Sequence, residues 1–398
     1  MTEVVIVDML RVPFSRSRPG QPERDAYNKL RMDDLCAMLV EKIIEKNGVK
    51  PEEIGDVITG CALQMKENYL MGGRTINLLA GLPVSVPAQG TERVCCSGMS
   101  ALHQVTMEIM LDLADVALAC GMEHMTHVAL DPRFNPDLLM ANPRFFTDER
   151  LKERDMQTAM SMGLTAEKLF TMAKCTREDM DKWSLGSHHK AAKAIEEGYF
   201  DGEIVPVEVE DENGEKKLVK YDLSIRPDTT MEGLAQLKPA FKEDGVITAG
   251  NSSPLNAGAV TVLVMSKEKA ASLGLKPLAR IIGMAVAGVE PSIMGAGPVP
   301  ASEKALKQVG LKVEEIDAWE INEAFSVVPL YAIEKLNIDP ERVNLKGGAV
   351  AIGHPLACSG PRITGTLARI LQETGGKYGL ATMCGGGGQG ATTVIERI

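Results

Sequence analysis

Long apolar runs are missing from this chain of 398 residues. None approaches the roughly 18 residues that cross a bilayer, so no membrane-spanning helix is expected. Positive charge is also in deficit: the formal net charge is −11. That balance argues against a surface built for nucleic acid or anionic lipid. An anionic small-molecule substrate would need a local patch of Lys and Arg. The eight cysteines stand at 36, 61, 95, 96, 120, 175, 358 and 384. No two form a C-x-x-C pair, so neither a zinc site nor a thioredoxin-like motif is expected. The N-terminal stretch Thr2-Glu3-Val4-Val5-Ile6-Val7-Asp8 carries acids where a secretory signal needs bases. It reads as a first buried strand, and the expected setting is a reducing cytoplasm with free thiols. The one long glycine run, Gly385–Gly388, does not close with Gly-Lys-Ser/Thr, so it is not a phosphate loop.

What the chain does contain is itself, twice. Gly48-Val-Lys-Pro-Glu-Glu-Ile-Gly-Asp-Val57 returns as Gly310-Leu-Lys-Val-Glu-Glu-Ile-Asp-Ala-Trp319, and Cys96-Ser97-Gly98 returns at the same step as Cys358-Ser359-Gly360. Ala119-Cys120-Gly121 returns as Met383-Cys384-Gly385, two residues out of step. Three echoes in one order predict two halves of one topology about a pseudo-twofold, with equivalent turns meeting near the axis. The length independently predicts two or three domains.

Apolar patterning predicts buried strands at Val4–Val7, Ile54–Cys61, Val116–Cys120, Ala259–Met265, Ile316–Ile321 and Leu380–Met383. Helical spacing marks Met32–Lys46, stopped by Gly48, and Ser97–Leu111. This alternation is that of an α/β layered core. Residues 122–247 break the rhythm with charge clusters and many Met. They read as a mostly helical insertion with a hairpin near 204–221, turned at Asn213-Gly214. The expected division is 1–121 plus 248–275, an insertion 122–247, and a second half 276–398.

Cys95 and Cys96 precede the Ser97–Leu111 helix. Free N–H groups and the positive dipole end there would lower a thiol pKa and make a nucleophile. His354, fixed between Gly353 and Pro355, is a candidate to take that proton. The glycines after Cys384 free N–H groups for an oxyanion. Asn322, at the end of a buried strand, could position a water or an oxyanion. His103 reads as a helix-packing residue and His188-His189 as an exposed pair; no histidine shows metal-ligand spacing.

Together, Arg93-Val-Cys-Cys-Ser-Gly98, Asn322-Glu-Ala-Phe325, Gly347-Gly-Ala-Val-Ala-Ile-Gly-His-Pro355 and Cys384-Gly-Gly-Gly-Gly-Gln-Gly390 resemble the four signature blocks of the thiolases. Arg11-Val-Pro-Phe14, Met162-Gly-Leu-Thr-Ala-Glu167, Arg226-Pro-Asp-Thr-Thr230, Leu237-Lys-Pro-Ala-Phe241 and Thr248-Ala-Gly-Asn-Ser-Ser253 extend the likeness along the whole chain. The resemblance implies a duplicated α-β-α-β-α five-layer fold with a mostly helical loop domain. It implies an acyl-CoA acyltransferase that cleaves 3-ketoacyl-CoA with coenzyme A, or condenses two acyl-CoA molecules, by ping-pong kinetics. Cys95 would be the acylated nucleophile, His354 its proton acceptor and Cys384 the acid–base at the substrate α-carbon. Asn322 would hold a water completing one oxyanion hole, and the backbone N–H groups of Cys95 and Gly386 would form the other. Arg226, Phe241 and Ser253 would lie along coenzyme A, which is a substrate; no cofactor and no metal are implied. A homodimer or homotetramer is expected. Glu92, Ser161, Pro254, Ala257 and Ala357-Cys358 depart from the common pattern without removing a catalytic group. A decarboxylating ketoacyl synthase or a non-catalytic scaffold on the same fold are the alternatives.

Overall fold

The computed structural model describes residues 1–68, 71, 73–138, 141–211 and 213–398. Its strands are β1 (Val4–Arg11), β2 (Ser15–Arg16), β3 (Asp56–Gly60), β4 (Ala88–Thr91), β5 (Val116–His124), β6 (Val207–Glu210), β7 (Lys216–Val219), β8 (Asn256–Ser266), β9 (Ala279–Gly288), β10 (Ala318–Ile321), β11 (Tyr378–Gly385) and β12 (Gln389–Glu396). The main sheet runs β10-β11-β12-β9-β1-β8-β5-β3-β4, with β2 on β8.

The duplication is legible strand by strand. β1 pairs antiparallel with β8, β8 with β5, and β5 parallel with β3. In the second half β9 pairs antiparallel with β12, β12 with β11, and β11 parallel with β10. A single parallel bridge, Trp319 to Val343, stands where the first half has β4. The halves join where β1 meets β9, over Val4↔Ile281, Val5↔Arg280 and Ile6↔Ala279.

Two helices, Ser97–Met110 and Ser359–Thr374, pack on each other and on the inner sheet faces. Met32–Asn47 covers the outer face at β8 and β5, and Pro298–Val309 the outer face at β9 and β12. The order is therefore helix, sheet, helix pair, sheet, helix, the expected five layers. Every residue of β1, β5 and β8 is buried, which is why they read as continuous apolar runs and not as alternating ones.

Local chemistry explains the first echo. Gly48 and Gly310 both sit in the left-handed region (φ 62 and 70) and end the two outer helices. A short 3-10 turn follows each, at Pro51–Glu53 and Val313–Glu315. The second echo answers a packing need. A Cβ on Gly98 would collide with the backbone oxygen of Ala357, and one on Gly360 would lie 2.5 Å from the Cβ of Met99.

The insertion holds the helices Met162–Phe170 and Arg177–Glu196 and the β6–β7 hairpin. The hairpin loop runs 211–215, longer than a two-residue Asn-Gly turn. The Asp211 carboxylate organises it by accepting the N–H groups of Asn213 and Glu215 at 2.8 and 2.9 Å. A buried ion pair pins the insertion to the core: Arg11 of β1 donates to Glu203 at 2.8 Å and to Asp222 at 2.6 Å. No described helix is long and apolar enough to cross a membrane.

Gly98→Ala and Gly360→Ala are each expected to cost about 3 kcal/mol, the upper range for overpacking a well-filled core. Denaturant unfolding of the two variants measures this; midpoints within error of the parent would contradict the close-crossing account.

Candidate active site

The turn before the Ser97–Met110 helix is strained. Val94, a β-branched residue, has φ 48, a conformation worth roughly 1–3 kcal/mol of strain. Ser97 holds it there, accepting the Arg93 N–H at 2.9 Å and donating to the Val94 oxygen at 2.6 Å. The result presents Cys95 at the helix entrance, while Cys96 occupies the N-cap. Cys95 and Cys384 are both buried, a charge on Cys95 opposes ionisation of Cys384, and both oppose ionisation of Cys96. The Cys95 sulfur also receives N–H groups from Gly386 and from its own backbone.

The sequence alone suggested a lowered Cys95 pKa. The structure reverses this: burial pushes the thiol up to about 11, outweighing the N–H groups of Gly386 and Cys95 that pull it down. Burial likewise raises Cys384, with Cys95 adding to the effect. It drives His354 down to about 3, helped by the buried Arg362 cation. The resting site therefore holds protonated thiols and a neutral imidazole.

His354 follows the short Ala349–Ile352 helix, and its N–H donates to Asn256 Oδ1 at 2.8 Å. Asn322 Nδ2 lies 3.4 Å from His354 Nε2. An amide nitrogen can only donate, so Nε2 accepts, and the ring proton sits on Nδ1, which donates to Ser359 Oγ at 2.5 Å. Nε2 is thus the basic nitrogen. Asn322 Oδ1 has no partner among the described residues, and the Asn322 N–H is tied to Thr382, two residues before Cys384.

Sequence reasoning missed Ser359 as a site residue. It is the counterpart of Ser97 in the Cys-Ser-Gly echo, so one repeated serine steadies the Cys95 turn in the first half and His354 in the second. It also missed Glu123. This fully buried carboxylate accepts the Ala62 and Leu63 N–H groups at 3.0 and 3.3 Å, and burial lifts it to about 7. His103 is a packing residue bonded to Thr393, as expected. His188 is not exposed: it is buried and accepts the Arg226 N–H at 3.2 Å, and burial lowers it to about 4. Helix Arg177–Glu196 turns it inward while His189 faces out.

Glu67, His124 and His127 cluster without offering a metal cage. The two rings stack at 3.6 Å and 12°, so their lone pairs run in separate planes and do not converge. Their nitrogens are already matched to Glu67 and to the Tyr27 and Asn28 carbonyls.

Of the three residues expected along coenzyme A, Ser253 Oγ donates to the Ala324 oxygen at 3.0 Å, and Phe241 packs edge-on against Phe325. Both therefore brace the Asn322–Phe325 turn. Arg226 instead lines a groove of about 310 Å³ with Arg16, His188, Leu234 and Ser252. A larger cleft of about 480 Å³ beside Trp183 does not reach Cys95.

Family models for the thiolase N-terminal domain and the thiolase C-terminal domain match residues 4–268 and 275–397. The chain belongs to the thiolase family. It is 47% identical over 401 residues to a 3-ketoacyl-CoA thiolase of Saccharophagus degradans, covering 100% of this chain and 98% of the relative. It is 46% identical to one from Aliivibrio fischeri, with 100% of each chain covered. Among solved structures, a Bacillus anthracis acetyl-CoA acetyltransferase matches at TM-score 0.86 and 37% identity, covering 100% and 99% of the two chains. Human mitochondrial 3-ketoacyl-CoA thiolase in complex with CoA matches at 0.87 and 34%, covering 100% and 98%. The five-layer thiolase fold is thus established by architecture and by likeness.

Removing the Ser359 hydroxyl frees the His354 ring while leaving its chemistry intact. Ser359→Ala is expected to slow acylation about tenfold, the worth of one charge-assisted hydrogen bond, with little change in unfolding midpoint. Stopped-flow acylation and thermal melts together test this; unchanged acylation would remove Ser359 from the site.

Proposed function

We propose that this thiolase cleaves 3-ketoacyl-CoA with coenzyme A, and runs the reverse condensation, through an acyl group on Cys95. What supports the reading is that Cys95 and Cys384, from echoed segments of the two halves, are buried within electrostatic reach of each other, and that burial keeps His354 neutral while it bonds to Asn322 and Ser359. The Cys95 proton passes to His354 Nε2, and the thiolate attacks the 3-keto carbon. The N–H groups of Cys95 and Gly386 hold the resulting oxyanion. The bond between carbons 2 and 3 then breaks, and Cys384 gives its proton to the departing acetyl-CoA carbanion. His354 and a water on Asn322 hold the enolate oxygen of that fragment. Coenzyme A next gives its thiol proton to the Cys384 thiolate and attacks the acyl-Cys95 thioester; the Cys95 sulfur leaves, taking back its proton from His354, and a shortened acyl-CoA is released.

Burial suits this cycle. A solvated thiolate would be free for alkylation and oxidation, whereas here the charge arises where N–H donors already wait. Coenzyme A lies along the insertion, with Arg226 at the nucleotide part and Ser253 and Phe241 bracing the turn beside its thiol end. No cofactor is required, because coenzyme A is itself a substrate. Free thiols at all eight cysteines fit a reducing cytosol. Degradative shortening of fatty acyl chains is the pathway reading that matches the 3-ketoacyl substrates.

The enzyme is proposed to work as a homodimer, or as a pair of such dimers. β4 ends the sheet with one side unpaired. Leu78, Leu79, Val84 and Met107 are 46–82% exposed on or near the elements that pack against it. An open edge beside exposed apolar side chains invites an isologous partner. Light scattering at micromolar concentration is expected to give at least twice the monomer mass of 42.9 kDa; a stable monomer contradicts it.

Four variants test the roles. Cys95→Ala is expected to carry no acyl adduct by intact mass after exposure to acetyl-CoA, whereas Cys96→Ala should still acylate. His354→Ala should slow acylation by about 10²–10⁴, the usual worth of a general base. Cys384→Ala should acylate yet fail to make or break the carbon–carbon bond. Normal acylation of Cys95→Ala would sink the assignment.

A further inference from the structure

Glu323 takes no part in the cycle above, yet it is fully buried next to Asn322, just past the end of β10. A carboxylate out of water is costly unless donors satisfy it. Here four neutral donors do so. Oε1 accepts the Trp183 indole N–H and the Asn344 side-chain amide, each at 2.9 Å. Oε2 accepts the Ser187 hydroxyl at 2.8 Å and the Val350 N–H at 3.0 Å. Bonds to a charged acceptor are stronger and more strictly placed than those between neutral groups.

The donors come from three separate segments. Trp183 and Ser187 stand one turn apart on the insertion helix Arg177–Glu196. Asn344 also clamps the residue before Asn322, since its amide donates to the Ile321 oxygen at 2.9 Å and its Oδ1 accepts the Ile321 N–H at 2.8 Å. Val350 belongs to the Ala349–Ile352 helix that leads into His354. Ser187 reinforces this last tie by accepting the Gly348 N–H at 2.9 Å. A Cβ on Gly348 would collide with the Glu323 carboxylate, so that turn lies directly against it. One carboxylate thus joins the strand that delivers Asn322, the turn that delivers His354 and a helix of the insertion. Asn322 Nδ2 and His354 Nε2 meet at 3.4 Å.

We infer that Glu323 is a positioning residue that sets Asn322 against His354 and makes their alignment depend on the docked insertion helix. This rests on the thiolase reading above and deepens it. The insertion then shares in the geometry that holds the enolate oxygen. Glutamine is nearly the size of glutamate and separates this role from filling space, because it offers one acceptor atom and one donor. With its oxygen toward Trp183 and Asn344, its amide N–H confronts the Val350 N–H and breaks the tie to the His354 turn. Turned the other way, it confronts two donors at once.

The test reads kcat and KM for acetoacetyl-CoA cleavage on the full chain. E323Q is expected to lower kcat about 10–100-fold, the scale of a small misplacement of reacting groups, with KM within twofold. S187A and W183F each remove one donor from the insertion side and should lower kcat roughly threefold to tenfold, again at nearly constant KM. A residue that acts through Asn322 has less to lose once Asn322 is gone, so E323Q in an N322A background should cost less than it does alone. Unchanged kcat in E323Q, a loss carried by KM alone, or losses that multiply with those of N322A would overturn the role. If E323Q shows no melting transition, S187A and W183F decide: lowered kcat at constant KM supports the role, and unchanged kcat in both refutes it. If the parent did not cleave acetoacetyl-CoA, the thiolase reading would fail by itself. The His354 ring nitrogens, followed by nitrogen-15 NMR, would still judge Glu323: E323Q should shift them, and unmoved signals would refute the positioning.

Discussion

The close crossing of the two central helices at Gly98 and Gly360 is the constraint on which the molecule turns. Each glycine sits at the first turn of its helix, and each lacks a side chain because the other half's backbone or Met99 occupies that space. Helices that approach so closely at their N-terminal ends must also bring together the loops that feed them. Those loops carry Cys95 and His354. The apposition that the proposed mechanism needs would therefore follow from how the duplicated core packs. A scaffold that kept the fold while relaxing the crossing would lose the chemistry first.

Electrostatics at that seam favours restraint over reactivity. A helix N-terminus typically contributes 0.3–1 kcal/mol toward a thiolate. A thiol held at about 11 reflects a balance about 3 kcal/mol the other way, set by burial. The same burial keeps His354 neutral, as its proposed role of proton acceptor requires. In the proposed cycle, ionisation is deferred until substrate displaces water and supplies a carbonyl to the Gly386 and Cys95 N–H groups. The strained φ of Val94 belongs to the same economy: the fold holds the sulfur among donors in advance, so that little rearrangement remains for the reaction.

Much of this was legible in the sequence, for a physical reason. Gly48 and Gly310 are local stop signals, the strands are apolar runs, and the Cys-Ser-Gly echo fixes a helix start. Such features act within a few residues and survive duplication. Burial and long-range neighbours do not announce themselves in that way. The lowered thiol pKa expected from the helix end was reversed by the desolvation that only packing reveals. His188 read as exposed because a His-His pair in a charged stretch carries no sign of which ring faces inward. Ser359 was visible as a repeat but not as a partner of His354, because the same serine does different work in the two halves. Phe241, expected along the coenzyme, also packs on Phe325, a relation between segments more than eighty residues apart.

Distance along the chain also hid the arginine cluster. Arg16 ends the short strand β2, Arg18 and Arg24 follow within eight residues, and Arg226 lies two hundred residues on. Folding sets Arg16 and Arg226 on one groove by pairing β2 with β8, with Arg18 and Arg24 within electrostatic reach of Arg16. Their setting constrains how they can work. At physiological ionic strength fields fade over about 8 Å, so a molecule with this much negative charge gains little from drawing an anion across solvent. Recognition has to be made at contact, where desolvated guanidinium groups meet phosphate oxygens directly. A contact mechanism favours discrimination over speed: a groove of this kind would act on which anion stays bound, a task separate from the chemistry proposed at Cys95.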